Sequence, residues 1–209
     1  MQPSPPAPEL DLEEPRTRRI VDAALRLAEE GGFDAVRLRE VASEAGVALR
    51  TLYKRFAGKD DLLYAVLEGE LAILERTLGA RELEGETPVE RVREFFEITT
   101  AILCGRPKLG RAVMRALTGS GQLSRRAASF HDRIDALIIC AIEGRPLDAV
   151  EHDREPGDAY NRLAAMLQHV WFSALIGWST GLHEVDGIVA AVGDAAALVL
   201  EPPELPSSS

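Results

Sequence analysis

Aromatic residues make up only 5% of this 209-residue chain, and cysteine occurs just twice. Cys104 and Cys140 form no CxxC pair and no zinc-ligand spacing. Each sits inside an apolar helical pattern, so both read as buried, reduced thiols rather than as a disulfide or a metal site. The four histidines, His131, His152, His169 and His183, also lack ligand-like spacing and read as surface or core residues. No metal is expected. No uninterrupted apolar run reaches the ~18 residues that a membrane span needs, so no membrane partner is expected. The opening stretch MQPSPPAPELDLEEP is proline-rich and acidic, without the basic start and apolar centre of a signal peptide. A cytoplasmic location is expected, with residues 1–14 a disordered lead and 201–209 (EPPELPSSS) a disordered tail. A nucleophile elbow, a paired carboxylate–histidine motif and a phosphate loop are all missing. An enzyme is therefore not expected, and no catalytic residue and no cofactor is assigned.

What is present points to helices. Apolar residues form 46% of the chain and charged residues 28%, ordinary for a soluble globular protein and enough for a sizeable core. Helix-spaced apolar residues recur almost everywhere, and strand-like alternation almost nowhere. A first helix is expected over 16–30, with Gly31-Gly32 as its stop. Two short helices follow, over 38–45 and 49–55, then a long one over 59–79. Thr87-Pro88-Val89-Glu90 carries the signals of a capping box, with proline at the first helical position. It should open a helix that reaches Cys104. Further helices are expected over 108–117, 122–143, 158–180 and 185–200. The fold class is all-α with about nine helices. The helix over 158–180 is apolar on several faces, through Leu163, Met166, Leu167, Val170, Trp171, Leu175 and Trp178. A helix of that kind must be covered on several sides, and a second copy of the chain is the expected cover.

The stretch EVASEAGVALRTLYKRF, residues 40–56, has the pattern of a helix-turn-helix. Small Ala42 lets the second helix approach, Gly46 supplies the positive φ of the turn, and Val47 and Leu52 fill the seam. The second helix then presents Leu49, Arg50, Thr51, Tyr53 and Lys54 outward. Such a helix fits the major groove of double-stranded DNA. Arg50 and Lys54 can donate to guanine O6 and N7. Thr51 can bond a phosphate or touch a thymine methyl, and Tyr53 offers a hydroxyl to phosphate. Lys59, at the start of the next helix, directs an ammonium and the helix amides toward the DNA backbone. Charge agrees. The chain carries −10 overall, yet residues 16–60 hold ten Lys/Arg against seven Asp/Glu, while the rest hold 14 against 27. Acidity is segregated away from this region, which should suppress nonspecific DNA binding.

Residues 16–67 resemble the DNA-binding domain of the TetR family of bacterial transcription regulators. The resemblance rests on the Gly-Phe after the first helix, REVASEAGV, TLYKRF and GKDDLL, about a quarter of the chain. It implies a homodimeric repressor of a palindromic operator. Its three N-terminal helices (15–58) would bind DNA, and its C-terminal helices (59–200) would form a ligand pocket and a dimer interface through the last two. By position, the family's DNA contacts carry over to Arg37, Arg50, Thr51, Tyr53, Lys54 and Lys59. Three positions depart from the family: Arg37 replaces a capping Thr or Ser, and Ala48 and Gly58 each stand where Ser is common. A lost cap costs about 0.5–2 kcal/mol.

More faintly, GGFDAVRLREVA, GVALRTLYKRF and HVWFSALIGWSTG resemble the actinobacterial repressors of steroid and cholesterol catabolism. That branch implies steroid-derived effectors, including CoA thioesters. Candidate wall residues of an effector pocket are Phe95, Thr99, Leu103, Met114, Leu117, Phe130, Ile134, Met166, Val170 and Trp171. Each alone suits ordinary core; together they favour a large hydrophobic effector over a sugar. Arg106, Lys108, Arg111, Arg125 and Arg126 form a loose basic cluster, either a solvated face or a contact for an acyl-CoA phosphate. The rival to a ligand-responsive repressor is an effector-independent DNA-binding organiser whose pocket is filled by side chains.

Overall fold

The computed structural model describes residues 14–79, 83–119, 124–147 and 158–201. The lead, the tail and most of the 146–157 loop lie outside the described residues. Among those described there are helices and turns and no strand. The helices are α1 (Pro15–Ala35), α2 (Leu38–Glu44), α3 (Leu49–Arg55), α4 (Lys59–Gly79), α5 (Pro88–Cys104), α6 (Pro107–Gly119), α7 (Ser124–Glu143), α8 (Ala159–Ser179) and α9 (Val185–Leu200). None is long and apolar enough to cross a membrane.

Local chemistry accounts for most boundaries. The capping box that opens α5 is complete: Thr87 Oγ1 accepts from Glu90 N at 3.2 Å, and Glu90 Oε2 accepts from Thr87 N at 3.0 Å. Glycine closes α7 at Gly144 (φ 66°). There Arg91 of α5 donates to Ala141 O and Ile142 O at 2.9 and 3.0 Å, satisfying carbonyls that the helix end would orphan. The predicted stop of the first helix falls at a real break. Gly32 (φ 70°, ψ −161°) kinks the helix, which then resumes to Ala35. The kink turns Phe33 and Asp34 toward α6 and the start of α4.

Two bodies share one helix. α1 packs on α2, α4 and α6, and α2 packs on α3. Buried Ile20, Ala24, Val41, Leu52, Phe56 and Leu63 close this small core. Each large side chain so enclosed contributes about 1.5–3 kcal/mol. α4 continues past it, burying Tyr64, Leu67, Leu71 and Leu74 against the rear helices. Its Tyr64 ring meets Phe130 of α7 edge-on, 5.9 Å between centroids. The rear body sets α5 against α7 and α9, and α8 against α7 and α9. Close approach there depends on Gly110, where an added Cβ would stand 2.7 Å from Leu103 O and 2.9 Å from Trp178. Arg106, immediately before α6, bolts the two bodies together, bonding Glu29 of α1 at 2.9 Å and Glu70 of α4.

Candidate nucleic-acid interface and effector region

The turn between α2 and α3 has the anticipated form. Gly46 sits at φ 63°, a left-handed conformation that suits glycine. Val47 N donates to Ala42 O at 2.9 Å across the turn. Ala42 and Leu52 are buried in the seam. Burying Leu52 fixes the rotation of α3 and so decides which side chains look out. Arg50, Tyr53 and Lys54 are exposed, Tyr53 at 56%, and Thr51 is half-buried beside them. Arg50 and Lys54 have no carboxylate partner among the described residues.

Arg55 has a different job from its neighbours. Its guanidinium bonds Thr17 Oγ1 at 2.8 Å and Glu14 at 3.2 Å, clamping α3 to the first turn of α1. Glu14 also caps α1 by accepting from Thr17 N at 2.8 Å. Hydrogen bonds from the Thr17 hydroxyl and amide, with the Arg55 charge, hold the Glu14 carboxyl below its ordinary range. The signal for this clamp, Glu-Pro-x-Thr ahead of an apolar run, lies in the sequence, but its link to Arg55 does not.

Arg37 and Lys59 flank the reading helix. Arg37 is exposed at the N-cap of α2, makes no side-chain cap, and bonds Glu40 at 3.1 Å. Ala48 likewise leaves α3 without a side-chain cap. Ahead of α4 the carboxylate of Asp61 takes over this role, accepting from Ala57 N at 2.8 Å. The Lys59 ammonium lies over the Phe33 ring, 3.8 Å from its centroid. Burial lowers its pKa, Asp34 opposes this, and the nearby charges of Arg115 and Arg37 lower it further. A cation held in that state gains by meeting a phosphate.

In the rear body, Phe95, Thr99, Met114, Phe130, Ile134 and Trp171 are buried, and Leu103, Leu117 and Val170 are partly buried against them. Met166 departs from the expected wall. It is 53% exposed, on the face of α8 turned from the core. The polar atoms of this region are largely spoken for. Thr99 Oγ1 donates to Phe95 O at 2.9 Å, and Trp171 Nε1 donates to Thr100 Oγ1 at 2.9 Å. His131 and Gln168 pair reciprocally, with Nδ1 to Oε1 at 2.7 Å and Nε2 to the His131 carbonyl at 3.1 Å. One group stands out. Asp135 has an enclosed Oδ1 without a hydrogen-bond partner among the described residues. Burial first, then Asp132, pushes its carboxyl up to about 6, with His169 opposing.

Among the described residues, two of the clefts that open on the surface lie away from the expected wall residues. One is lined by Leu83, Gly85, Arg91, Gly144 and Arg145. The other, about 440 Å³, lies where α1, α6 and the end of α8 meet. The basic cluster divides in the same way. Arg106 is committed to Glu29 and Glu70, and Lys108 donates to Glu30 O at 2.7 Å. Arg111 lies 5.4 Å from the Trp178 ring centre. The side chains of Arg125 and Arg126 lie outside the described residues.

A helix-turn-helix carried on a small helical body, with its cations outward and a larger helical body behind, defines a DNA-binding regulator. Residues 20–66 match the family described as bacterial regulatory proteins, tetR family, and residues 85–199 match the tetracyclin repressor-like C-terminal domain. The chain belongs to the TetR family. It is 30% identical, over 165 residues, to the HTH-type transcriptional repressor KstR of Mycobacterium tuberculosis, covering 79% of this chain and 71% of that one. Its fold is similar to a TetR transcriptional regulator from Rhodococcus sp. RHA1 (TM-score 0.76, 24% identity, 91% and 98% of the two chains covered). It is also similar to FadR of Thermus thermophilus, a TetR family transcriptional repressor solved with lauroyl-CoA (TM-score 0.64, 21% identity, 91% and 96% covered).

Proposed function

We propose that the chain is a homodimeric repressor that reads a palindromic operator with α3 and releases it on binding a large hydrophobic effector. The observation that carries this reading is the rotation of α3. Leu52 faces in, Arg55 clamps the helix end, and Arg50, Tyr53 and Lys54 are left outward and unneutralised. Residues 15–58 form the DNA-binding unit and residues 59–200 the effector and dimerisation unit. Arg37 and Lys59 add contacts to the DNA backbone, and Thr51 contacts a phosphate or a thymine methyl. The dimer forms through α8 and α9, whose outer faces leave Met166 and Leu198 at 53% and 61% exposed. A DNA target supports a cytoplasmic location, and no catalytic step is assigned to the protein.

The effector is an acyl-CoA or a steroid-derived thioester. The FadR complex with lauroyl-CoA and the KstR relatives support that class, as does the apolar lining from Phe95 to Trp171. The organiser reading draws on a different observation: Phe95, Met114, Phe130 and Ile134 are closed into the core and fill the space between the helices. Heat-stability measurements with lauroyl-CoA separate the two, because only the first reading expects a ligand-dependent rise.

Lys54→Ala should weaken binding to the chain's own promoter DNA by about 1–3 kcal/mol and relax sequence choice. Tyr53→Phe should weaken it evenly across sequences. Gel shifts that show neither change would remove α3 from the interface.

A further inference from the structure

The cleft of about 440 Å³ lies at the joint between the two bodies. Its walls are Gly31–Asp34 at the kinked end of α1, a stripe of α6, and Ile176, Ser179 and Thr180 at the end of α8. Along α6 the lining residues are Lys108, Arg111, Ala112, Arg115 and Thr118. Steps of three and four residues put these on one helical face, so three cations look into one space. The lining offers a single carboxylate, Asp34. In a chain of net charge −10, such a grouping creates a local positive potential.

Helix ends explain only part of it. Lys108 satisfies the Glu30 carbonyl of α1 at 2.7 Å. Arg115 reaches Asp34 at 3.4 Å, but both are well exposed, and such a pair holds weakly. Arg111 has no carboxylate partner among the described residues and lies beside the Trp178 ring. A cation without a carboxylate, Arg111, flanked by two weakly held ones and by the half-buried Phe33 ring, suits a planar group that carries phosphates.

The same cleft touches the DNA-facing side. The Phe33 ring in its wall carries the Arg115 guanidinium at 4.1 Å and the Lys59 ammonium at 3.8 Å. Two cations from two bodies therefore share one ring.

We propose that this cleft binds the phosphate-bearing head of an organic anion, and that Phe33 relays its occupancy to Lys59. An anion that engages Arg115 draws away the cation competing with Lys59 for the ring. Lys59 is then held to Phe33 and offered less to a DNA phosphate, so anion and DNA oppose each other. By linkage the opposition is reciprocal. The second half of the proposal rests on the DNA-binding reading above; the first does not.

Calorimetric titration of the full chain with adenosine 3′,5′-bisphosphate tests the site without DNA and without any hydrophobic ligand. Saturable binding with a Kd of about 1 mM or tighter is expected. Arg111→Gln and Lys108→Gln should each weaken it roughly tenfold, with the melting temperature unchanged because both side chains are exposed. Adenosine alone should not bind. No saturation by the wild-type chain, or equal binding by Arg111→Gln, overturns the site. The relay is tested by gel shifts on promoter DNA, where the bisphosphate should lower affinity for wild type. Phe33→Leu and Arg115→Gln should still bind DNA but lose that response. A wild-type response that survives in both variants, or no response where the titration is positive, overturns the relay. Failure of DNA binding itself would appear without added bisphosphate and so counts against the earlier reading alone.

Discussion

Replacing Arg106 by alanine removes a side chain at the start of α6 that bonds carboxylates on both α1 and α4. The two bonds differ in worth. The Glu70 side chain is only 15% exposed, against 36% for Glu29. Charge-assisted hydrogen bonds contribute about 1.5–3 kcal/mol when enclosed, whereas an exposed ion pair contributes about 0–1 kcal/mol. Arg106→Ala should therefore lower the free energy of unfolding by about 2–3 kcal/mol, most of it through Glu70, which is left enclosed and unpaired. Glu29→Gln should cost only about 0.5 kcal/mol. Urea unfolding of Arg106→Ala, Glu70→Ala and the double variant closes a cycle, and the coupling expected is about 1–2 kcal/mol. A coupling near zero would refute the claim that this bolt holds α6 to the front body. So would equal effects of Glu29→Gln and Glu70→Ala, because the argument turns on the difference in enclosure.

Two further outcomes follow from single residues. The Asp135 carboxyl titrates at about 6 in the folded chain against an ordinary 3.8, so the folded state holds that proton more firmly. The resulting stabilisation is present below about pH 3.8 and is lost as pH rises through about 6. Asp135→Asn should remove this loss, gaining on the wild type by about 1–2 kcal/mol between pH 4 and pH 7, after discounting for solvent that still reaches a half-buried group. Chemical denaturation across that range checks it, and a gap that does not vary with pH counts against it. Gly110→Ala should lower the melting temperature, at a cost of about 1–3 kcal/mol. The new Cβ would meet Leu103 O at 2.7 Å, a backbone atom that cannot rotate away. A melting curve unchanged from wild type would show that α6 has room to shift.

What the sequence made legible was whatever it punctuates locally. Thr87-Pro88 with Glu90 placed the start of α5, and Gly46 placed the turn before α3, because each acts within four residues of itself. α3, α4 and α9 fall where apolar spacing and glycine put them. Gly31-Gly32 did break the helix, with Gly32 left-handed at φ 70°, but contacts of Phe33 and Asp34 with α4 and α6 accompany a short further helical piece to Ala35 that the glycine pair does not announce. Arg55 and Arg106 could not be read as clamps. Their partners stand 38 residues away in one case and 77 and 36 in the other. Met166 shows a different limit. In α8 nearly every face is apolar, so a period of 3.6 no longer says which residues turn inward.

The distribution of ion pairs adds to the case for α3. In the front body Arg26 is bound to Glu44, Arg37 to Glu40, and Arg55 to Glu14. These pairs tie α1 to α2, brace the start of α2, and clamp α3. Arg50 and Lys54 sit in the same small body, beside the same acidic chain, and have no carboxylate partner among the described residues. A protein of net charge −10 has ample acid to neutralise two exposed cations. An exposed pair would add little to stability, so folding alone gives little reason to neutralise them or to cluster them. DNA does give a reason: a cation carried into the major groove can donate to guanine, and in the field of the phosphates it also displaces condensed counterions. Removing either charge should therefore flatten the dependence of DNA affinity on salt by about one unit of slope. Removing Arg55 should instead lower stability and disturb affinity only through the seating of α3. Equal salt slopes for the wild type and Lys54→Ala would mean that these cations are free for some other purpose.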